Sequence, residues 1–297
     1  MNDVKTEVVG RFAPSPTGRM HLGNVYAALK SWLSVRRRGG RWILRIEDID
    51  TGRSRREFAE QIEDDLLWLG LTWDEGGLAD LGSHGPYSQS RRGEFYARAL
   101  ERLRSMGLTY ACTCTRSDIM ASSAPHQSDG RIIYSGRCRP PSMPCVAPEP
   151  DGRHAVRLYV PDRDIVFTDR NFGQQSYNLA RDCGDFVLRR ADGSWAYQLA
   201  VVVDDALMGV TEVVRGCDLL LSAAQQIYLF GLLGYEAPVY AHVPLLLNEA
   251  GHRLAKRDAA MAMGALRAEK TPAEVAAMVL DAREFDEYMA FRDASAR

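Results

Sequence analysis

A glycine- and proline-containing segment near the start of the chain has the composition of a turn that binds phosphate. Residues 11–24 read RFAPSPTGRMHLGN and connect a short apolar run to a segment with helical spacing of its apolar side chains. A helix N-terminus binds anions through its free N–H groups and partial positive charge, and Gly23 leaves the backbone accessible. His21 and Asn24 add donors that can follow charge as it develops on a phosphate. The segment therefore predicts an anion site, in a turn that many α/β proteins share.

Three cysteines lie at a spacing that suits a metal ion. Cys112 and Cys114 form a CxC pair, and Cys138 follows 24 residues after Cys114. Zinc in structural sites takes four ligands in a tetrahedron and prefers thiolates, and clustered cysteines in a cytosolic chain indicate metal before disulfide. The sequence therefore predicts one structural zinc site in a proline-rich segment, remote from the phosphate turn.

The fourth zinc ligand is open at this point. Cys145 is the candidate that ligand chemistry favours, because phenolate is a rare ligand and a tyrosine ordinarily loses its proton only at about pH 10. Tyr134 is the second candidate, and His126 lies in the same segment and could compete with both. An alternative without metal has three reduced, buried cysteines beside a core tyrosine.

The elements that must position these residues alternate between strand and helix. Apolar periodicity predicts strands at residues 8–12, 42–46, 156–160, 165–167, 195–203, 210–214 and 240–247, and helices at 22–33, 54–70, 96–107 and 219–232. Ser54 and Glu57 have the spacing of a capping box at the start of the second helix. Residues 121–150, which are rich in proline, predict a loop. The order predicts a doubly wound α/β fold with a parallel sheet, split by an insertion.

Length and composition describe a globular chain. Its 297 residues suffice for one large domain or two ordinary ones. No apolar run approaches the roughly 18 residues that span a bilayer, and the first residues lack the layout of a signal peptide. A cytoplasmic location without membrane contact is therefore expected. The net charge of −2 counts mildly against a nucleic-acid partner, although local patches such as residues 36–38 decide affinity.

The phosphate turn and three further segments resemble the class I aminoacyl-tRNA synthetases. HLGN at residues 21–24 is similar to the first signature of that class, and the preceding RFAPSPTG resembles its glutamyl branch. Matching segments follow at WILRIEDID (42–50), AVVVDDALMGVTEVVRGCD (200–218) and YAHVPLLLNEAGHRLAKRD (240–258). The resemblance covers about residues 8–265. It implies the Rossmann-type parallel sheet of that class, split by an insertion that bears a zinc site.

The resemblance implies that the first reaction joins glutamate to ATP. The α-carboxylate of L-glutamate attacks the α-phosphorus and pyrophosphate leaves, with Mg²⁺ as the counterion of ATP. The residues implied for ATP are His21, Gly23, Asn24 and Lys256, and those implied for catalysis are His21, Asn24 and Lys256. The counterpart of the second signature is RLAKR at residues 253–257. The usual histidine of the first signature is replaced by Asn24, and the usual lysine and serine of the second are replaced by Arg253 and Ala255. One hydroxyl contact is thereby lost, while charge is kept at Arg253.

A glutamate pocket needs two cationic groups and one anionic group, because glutamate has two carboxylates and one ammonium. Arg11 and Arg215 suit the carboxylates through bidentate hydrogen bonds. Glu47 suits the ammonium, and Tyr197 could close the pocket with its hydroxyl. These residues are expected at or near strand ends, where open α/β sheets bind ligands. The full set that the resemblance implies for glutamate is Arg11, Phe12, Ala13, Pro14, Ser15, Glu47, Tyr197 and Arg215.

The resemblance also selects between the candidate zinc ligands. The short glutamyl-type enzymes have CxC followed by YxxxC, a pattern that gives Cys112, Cys114, Tyr134 and Cys138 here. It therefore implies that the phenol of Tyr134, and not the thiol of Cys145, completes the ligand set.

The expected domain organisation has an insertion between two halves of a catalytic domain. The halves are residues 1–107 and 191–297, and the insertion is a zinc-bearing, acceptor-type subdomain at 108–190. Only 41 residues follow Lys256, fewer than the about 50 of a small independent domain. A short helical stub and no anticodon-binding domain are therefore expected. Within the glutamyl branch, the chain therefore resembles a truncated, monomeric paralogue. The resemblance implies that it transfers glutamate to the queuosine base in the anticodon of tRNA(Asp).

Two other functions compete with this expectation. A free-standing catalytic body could charge the 3′ end of tRNA(Glu), although such enzymes usually select their tRNA through the part that is expected to be missing. A non-catalytic, zinc-bearing RNA-binding module with a decayed signature is favoured by Ala255 alone. Five residues occur together in a combination that binding alone does not require, which argues against that module. They are Arg11, His21, Glu47, Arg215 and Lys256.

Overall fold

The computed structural model describes residues 7–115, 117–119, 133–146, 150–247 and 261–295. The chain forms two compact units. The first comprises Met1–Arg91, Leu207–Leu219 and Pro238–Arg297, and the second comprises Arg92–Ala206 and Leu220–Ala237. This division into compact units differs from the predicted insertion at residues 108–190, which stays a prediction.

Strands and helices alternate along the described residues. The strands are β1 (Val9–Phe12), β2 (Arg41–Leu44), β3 (Glu75–Gly76), β4 (Thr109–Cys112), β5 (Ala155–Leu158), β6 (Asp164–Asp169), β7 (Gly173–Asn178), β8 (Phe186–Arg189), β9 (Glu212–Gly216) and β10 (Val239–Val243). The α-helices are α1 (Leu22–Arg36), α2 (Arg56–Trp68), α3 (Gly93–Ser105), α4 (Leu179–Asp182), α5 (Tyr197–Leu207), α6 (Leu220–Leu232), α7 (Met263–Glu269), α8 (Pro272–Ala277) and α9 (Ala282–Ser295).

The first unit is built on a five-stranded sheet in the order β10-β9-β1-β2-β3, in which every neighbouring pair is parallel. All four residues of β1 are buried, as expected for a parallel sheet that is covered on both faces. Successive strands are added outward in the order β1, β2, β3 on one side of the sheet, and in the order β9, β10 on the other side. The boundary between β1 and β9 is therefore the topological switch point, where such sheets bind ligands. This confirms the predicted α/β fold with a parallel sheet.

Helix α1 packs directly on β1. A Cβ atom at Gly10 would lie 2.4 Å from Val35 Cγ2, so this strand position has no room for a side chain. Trp32 is fully buried on the same helix, and the indole of Trp42 donates to Ser31 Oγ across 2.9 Å. These contacts hold α1 at one position along the sheet. The N-terminus of the helix is thereby held in place as well.

The C-terminal helix α9 packs against α1 in the same unit. Tyr288 and Phe291 meet the Trp32 ring edge-on, with centroids 6.5 and 6.0 Å away, and the Tyr288 hydroxyl donates to the Leu69 carbonyl across 2.6 Å. Lys30 pairs with Glu284 at the surface of this contact. Helix α9 is therefore packed into the same compact unit as the parallel sheet.

The second unit is antiparallel. Strands β4, β5 and β8 form a three-stranded sheet, and β6 and β7 form a separate hairpin. Helices α3 and α5 are joined by a buried group in which Arg92 and the Tyr96 hydroxyl both donate to Asp204. None of the helices in the described residues has the length and apolar composition needed to cross a bilayer.

The strand predicted at residues 195–203 is wrong, because Tyr197–Leu207 is helix α5. The run Leu199–Val203 is buried throughout, so it shows neither an alternating nor a helical pattern of polar residues. A short apolar run of this kind cannot be assigned by periodicity, and its β-branched valines favoured the wrong element. In residues 133–146, the described part of the predicted loop, there is neither helix nor strand.

The capping box predicted from Ser54 and Glu57 is also wrong. Helix α2 begins one residue later, with Arg55 as N-cap and no side-chain hydrogen bond at the cap. The Arg55 amide donates to the Pro16 carbonyl across 2.9 Å, so a contact with the phosphate turn sets the helix start. Capping boxes occur instead at His21 with Asn24 and at Thr271 with Glu274.

Candidate active site

His21 is the N-cap of helix α1 and forms an unusual capping box. Its ring Nδ1 accepts from the Gly23 amide across 3.1 Å, and the Asn24 side-chain oxygen accepts from the His21 amide, also across 3.1 Å. Because Nδ1 accepts, the neutral ring carries its proton on Nε2. The capping box therefore fixes both the ring position and the tautomer of the histidine that was predicted to bind ATP.

Gly23 lies directly against the His21 ring. A Cβ atom at this position would lie 3.0 Å from His21 Cε1 and 3.1 Å from Nδ1. Contacts this short are tighter than nine in ten real Cβ contacts, so a side chain here would require the imidazole to shift by a few tenths of an ångström. The glycine thus keeps the helix N-terminus open and the histidine in place.

The chain on the C-terminal side of the second signature lies beside the first signature. Ala262 forms an antiparallel bridge with His21, and the Met263 amide donates to the Met20 carbonyl across 2.9 Å. Lys256, with Arg253 and Ala255, lies outside the described residues. Ala262, which bridges His21, is six residues after Lys256 in the sequence.

Arg11 and Arg215 lie on the adjacent strands β1 and β9, and both are buried. Arg11 Nη1 approaches the Val214 carbonyl at 3.5 Å. Arg215 Nε donates to His242 Nε2 across 3.1 Å, and its Nη2 donates to the Leu219 carbonyl across 3.3 Å. The two predicted carboxylate partners thus lie at the switch point of the sheet.

Glu47 follows β2 and is buried against the predicted glutamate-binding segment. Its amide donates to the Pro14 carbonyl across 3.0 Å, and its carboxylate accepts from Arg45 Nη2 across 3.1 Å. Of the remaining residues of that segment, Phe12 is buried, Ala13 is half-buried and Ser15 is exposed. The first unit therefore brings Arg11, Glu47 and Arg215 onto one sheet.

Arg45 is a site residue that sequence reasoning missed. Its side chain is fully buried and forms an ion pair with Glu47. A signal was available, because residues two apart on an extended chain point to the same face and Arg45 precedes Glu47 by two. Arg45 thus holds the carboxylate of Glu47, which was predicted to bind the ammonium of glutamate.

Tyr197 differs from expectation in its element. It is the first residue of helix α5 in the second unit and does not lie at a strand end. The error follows from the misassigned strand at residues 195–203. Its role at the glutamate pocket stays a prediction.

Three predicted zinc ligands lie together in the second unit. The sulfur atoms of Cys112, Cys114 and Cys138 are all within 4.8 Å of one another, and those of Cys114 and Cys138 are 3.4 Å apart. A tetrahedral zinc with bonds of about 2.3 Å requires thiolate sulfurs about 3.8 Å apart. The cluster therefore fits the dimensions of a zinc site.

Tyr134 and not Cys145 lies beside this cluster. The Tyr134 hydroxyl is 3.5 Å from Cys112 Sγ and accepts from the Cys138 amide across 2.8 Å. Cys145 Sγ instead lies 3.5 Å from Met143 Sδ, and the Cys145 amide donates to the Gly107 carbonyl. Of the two fourth ligands considered, the geometry favours the phenol. His126 lies outside the described residues.

The cysteine cluster can hold a thiolate near neutral pH. Burial alone would raise the pKa of the Cys138 thiol, but hydrogen bonds from Tyr134 and the Thr113 backbone lower that pKa to about 7. Burial and the contact with Cys138 raise the pKa of Cys114 to about 11. Metal binding requires thiolates. The lowered pKa of Cys138 favours its thiolate form.

Comparisons with known proteins give the family and the fold of the chain. The family described as tRNA synthetases class I (E and Q), catalytic domain, matches residues 7–286. The chain is 50% identical to a glutamyl-Q tRNA(Asp) synthetase of Nitratidesulfovibrio vulgaris, covering 89% of this chain and 82% of the relative. It is 52% identical to the protein of that name from Symbiobacterium thermophilum, covering 89% and 83%.

A solved structure gives the same fold. Glutamate-tRNA synthetase from Elizabethkingia anophelis superposes with a TM-score of 0.74 at 34% identity, covering 85% of this chain. The chain spans about half (53%) of the length of that synthetase. It therefore belongs to the class I tRNA synthetases of the E and Q group, in the family of the glutamyl-Q tRNA(Asp) synthetases.

Proposed function

We propose that the protein activates L-glutamate with ATP and transfers the glutamyl group to queuosine in the anticodon of tRNA(Asp). The observation that supports the activation step is the contact between the first signature and the chain beyond the second, where Ala262 bridges His21. Such a contact is what an ATP site built from residues near 21 and 256 requires. The choice of tRNA(Asp) is supported by relatives about half identical in sequence over more than four-fifths of their length.

In the activation step, an oxygen of the glutamate α-carboxylate attacks the α-phosphorus of ATP. The bond to the bridging oxygen of pyrophosphate breaks, and pyrophosphate leaves with the electron pair. His21 Nε2, the amides at the start of α1 and Lys256 would stabilise the negative charge that develops on the phosphates. Asn24 would act by holding the His21 backbone, and Mg²⁺ would arrive with ATP as its counterion.

Selection of glutamate would depend on charge. Arg11 and Arg215 would bind the two carboxylates, and Glu47 would bind the ammonium. Glutamine would leave a buried guanidinium without its anionic partner, and such a loss costs about 2–5 kcal/mol. Phe12, Ala13, Pro14 and Ser15 would line the slot, and the Tyr197 hydroxyl would close it.

A single zinc ion would be held by Cys112, Cys114, Cys138 and Tyr134. Its role would be structural, because the ligands come from the end of strand β4 and from a segment without helix or strand. Four ligands complete the coordination shell and leave no position for a substrate. The bound ion would join these two segments of the second unit.

Glutamate-dependent exchange of labelled pyrophosphate into ATP tests the activation step. We expect exchange with L-glutamate and about 10²-fold less with L-glutamine, the scale for one unpaired charge in a binding site. Absence of exchange, with and without tRNA, would overturn the proposed activation.

The location of labelled glutamate on the tRNA tests the acceptor. The protein, ATP and radiolabelled glutamate are incubated with tRNA(Asp) that contains queuosine or, as the matched control, lacks it. After nuclease digestion, we expect the label on the anticodon nucleoside of the first tRNA and none on the second. Label on the 3′-terminal adenosine, in tRNA(Asp) or tRNA(Glu), would contradict the proposed acceptor.

A further inference from the structure

Asp65 is a fully buried carboxylate on helix α2 that binds two arginines from distant parts of the chain. Arg19 donates to it through both Nη2 and Nε, across 3.0 and 3.3 Å. Arg267 Nη1 donates to the same carboxylate across 2.7 Å. A buried ion is tolerated only with such partners, so the geometry of this group is strongly constrained.

The two arginines belong to the two segments that flank the predicted ATP site. Arg19 precedes His21 by two residues, and Arg267 lies on α7, the first helix after the segment that contains Lys256. Asp65 therefore connects these segments through side chains, a few residues from the point where the Met263 amide connects them through the backbone.

Gly264 allows the Arg19 side chain to take this position. A Cβ atom at residue 264 would lie 2.9 Å from Arg19 Nη1 and 3.5 Å from Cζ. The Arg267 guanidinium is held in turn by the Trp68 ring, with its carbon 5.3 Å from the ring centroid. Both cations are thus fixed by packing as well as by charge.

We infer that Asp65 is a positioning residue, which holds the His21 turn and the chain beyond Lys256 in a fixed relation through Arg19 and Arg267. This inference rests on the proposed function. Among the described residues, the hydrogen-bond partners of the Asp65 carboxylate are Arg19 and Arg267, so its effect on His21 is indirect. Misplacement of a reacting group by about 1 Å can cost about 10²-fold in rate, so a small shift of either segment would impair ATP binding.

The variant Asp65→Asn tests this inference because it keeps the shape of the side chain and removes its charge. In pyrophosphate exchange we expect the KM for ATP to rise about tenfold or more, while the KM for glutamate changes less than about twofold. Asp64→Asn is the matched control, because Asp64 is the exposed neighbour and contacts Arg267 but not Arg19. It should leave both constants within about twofold of the parent.

A general loss of structure would raise both constants, and normal kinetics in folded Asp65→Asn would overturn the inference. Should that variant not fold, Gly264→Ala provides the same test without removing a charge, because its methyl group displaces Arg19. Gly264→Ala with the parent's KM for ATP would also overturn the inference.

Hydrogen–deuterium exchange separates this inference from the proposed function, because it needs no activity. In Asp65→Asn without substrates, we expect faster exchange at Met263 and at residues 19–24, and unchanged exchange in strands β4 and β5. Unchanged protection of Met263 would overturn the inference even in an active enzyme. An inactive parent whose protection depends on Asp65 would overturn the proposed function alone.

Discussion

At the scale of single residues, the site depends on groups that hold the predicted ligand-binding residues in place. Arg11, His21, Glu47 and Arg215 could be named from the sequence because they stand in segments that resemble the family's motifs and their types suit phosphate and glutamate. Arg45 and Asp65 could not be named so readily, because their partners are known only once strands and helices pack. A residue's type indicates what its side chain can bind. It does not indicate which other residues hold that side chain in place.

Gly23→Ala should impair ATP activation through the His21 ring. The added Cβ atom would lie 3.0 Å from His21 Cε1, so we expect pyrophosphate exchange to fall about 10²-fold, the scale for one displaced electrostatic donor. Gly231→Ala is the control, because a Cβ atom at that helical glycine meets nothing within 4 Å. Exchange by Gly23→Ala at the parent's rate would show that the ring does not contribute.

Arg45→Met should weaken glutamate binding more than ATP binding. The substitution leaves the buried Glu47 carboxylate without this cation, and loss of such a partner costs about 2–5 kcal/mol. We expect at least a tenfold rise in the KM for glutamate in pyrophosphate exchange. Arg56→Met, at an exposed arginine that pairs with Glu60, should have no effect. Equal effects of the two variants would argue against a role for Arg45.

Metal analysis of three variants should distinguish the zinc ligands. Cys138→Ser and Tyr134→Phe are expected to lower the zinc content of the purified protein, because each removes an atom that lies in or beside the sulfur cluster. Cys145→Ser should retain the parent's zinc content, since its sulfur lies against Met143. Zinc loss in Cys145→Ser with retention in Tyr134→Phe would reverse the assignment.

At the scale of elements, prediction succeeded where polar and apolar residues alternate with a clear period. Helix α3 ends as predicted near Gly107, and α6 spans the predicted segment. It failed at residues 195–203, because burial on all sides removes the period on which the prediction depends. Strands β3, β4, β7 and β8 were also missed. Of these, β7 is a polar, largely exposed hairpin strand without an apolar face.

The buried hydroxyl of Tyr288, on helix α9, should contribute to the free energy of unfolding. Tyr288 donates to the Leu69 carbonyl at a fully buried position, and removal of one partner of such a bond costs about 1–3 kcal/mol. We expect Tyr288→Phe to lower the free energy of unfolding in urea by about that amount. Arg283→Ala, at an exposed arginine of the same helix, should lower it by less than about 0.5 kcal/mol. No change in Tyr288→Phe would contradict the assigned bond.

At the scale of the whole molecule, the family assignment came from motifs, and the parallel sheet came from the alternation of elements. The relation between distant segments came from neither. Residues 20 and 263 are hydrogen-bonded, and 65 is paired with both 19 and 267. A single sequence contains no local pattern that records such pairs, because they depend on how elements pack in three dimensions.

Helix α1 is attached to its surroundings at both ends. Its N-terminus is joined to Met263 through Met20, and Arg37, its C-cap, pairs with Glu287 on helix α9. A dipole fixed in this way cannot reorient when an anion approaches, so the attraction for phosphate exists before the nucleotide arrives. The free energy of nucleotide binding is then available for the reaction and is not consumed in ordering the helix.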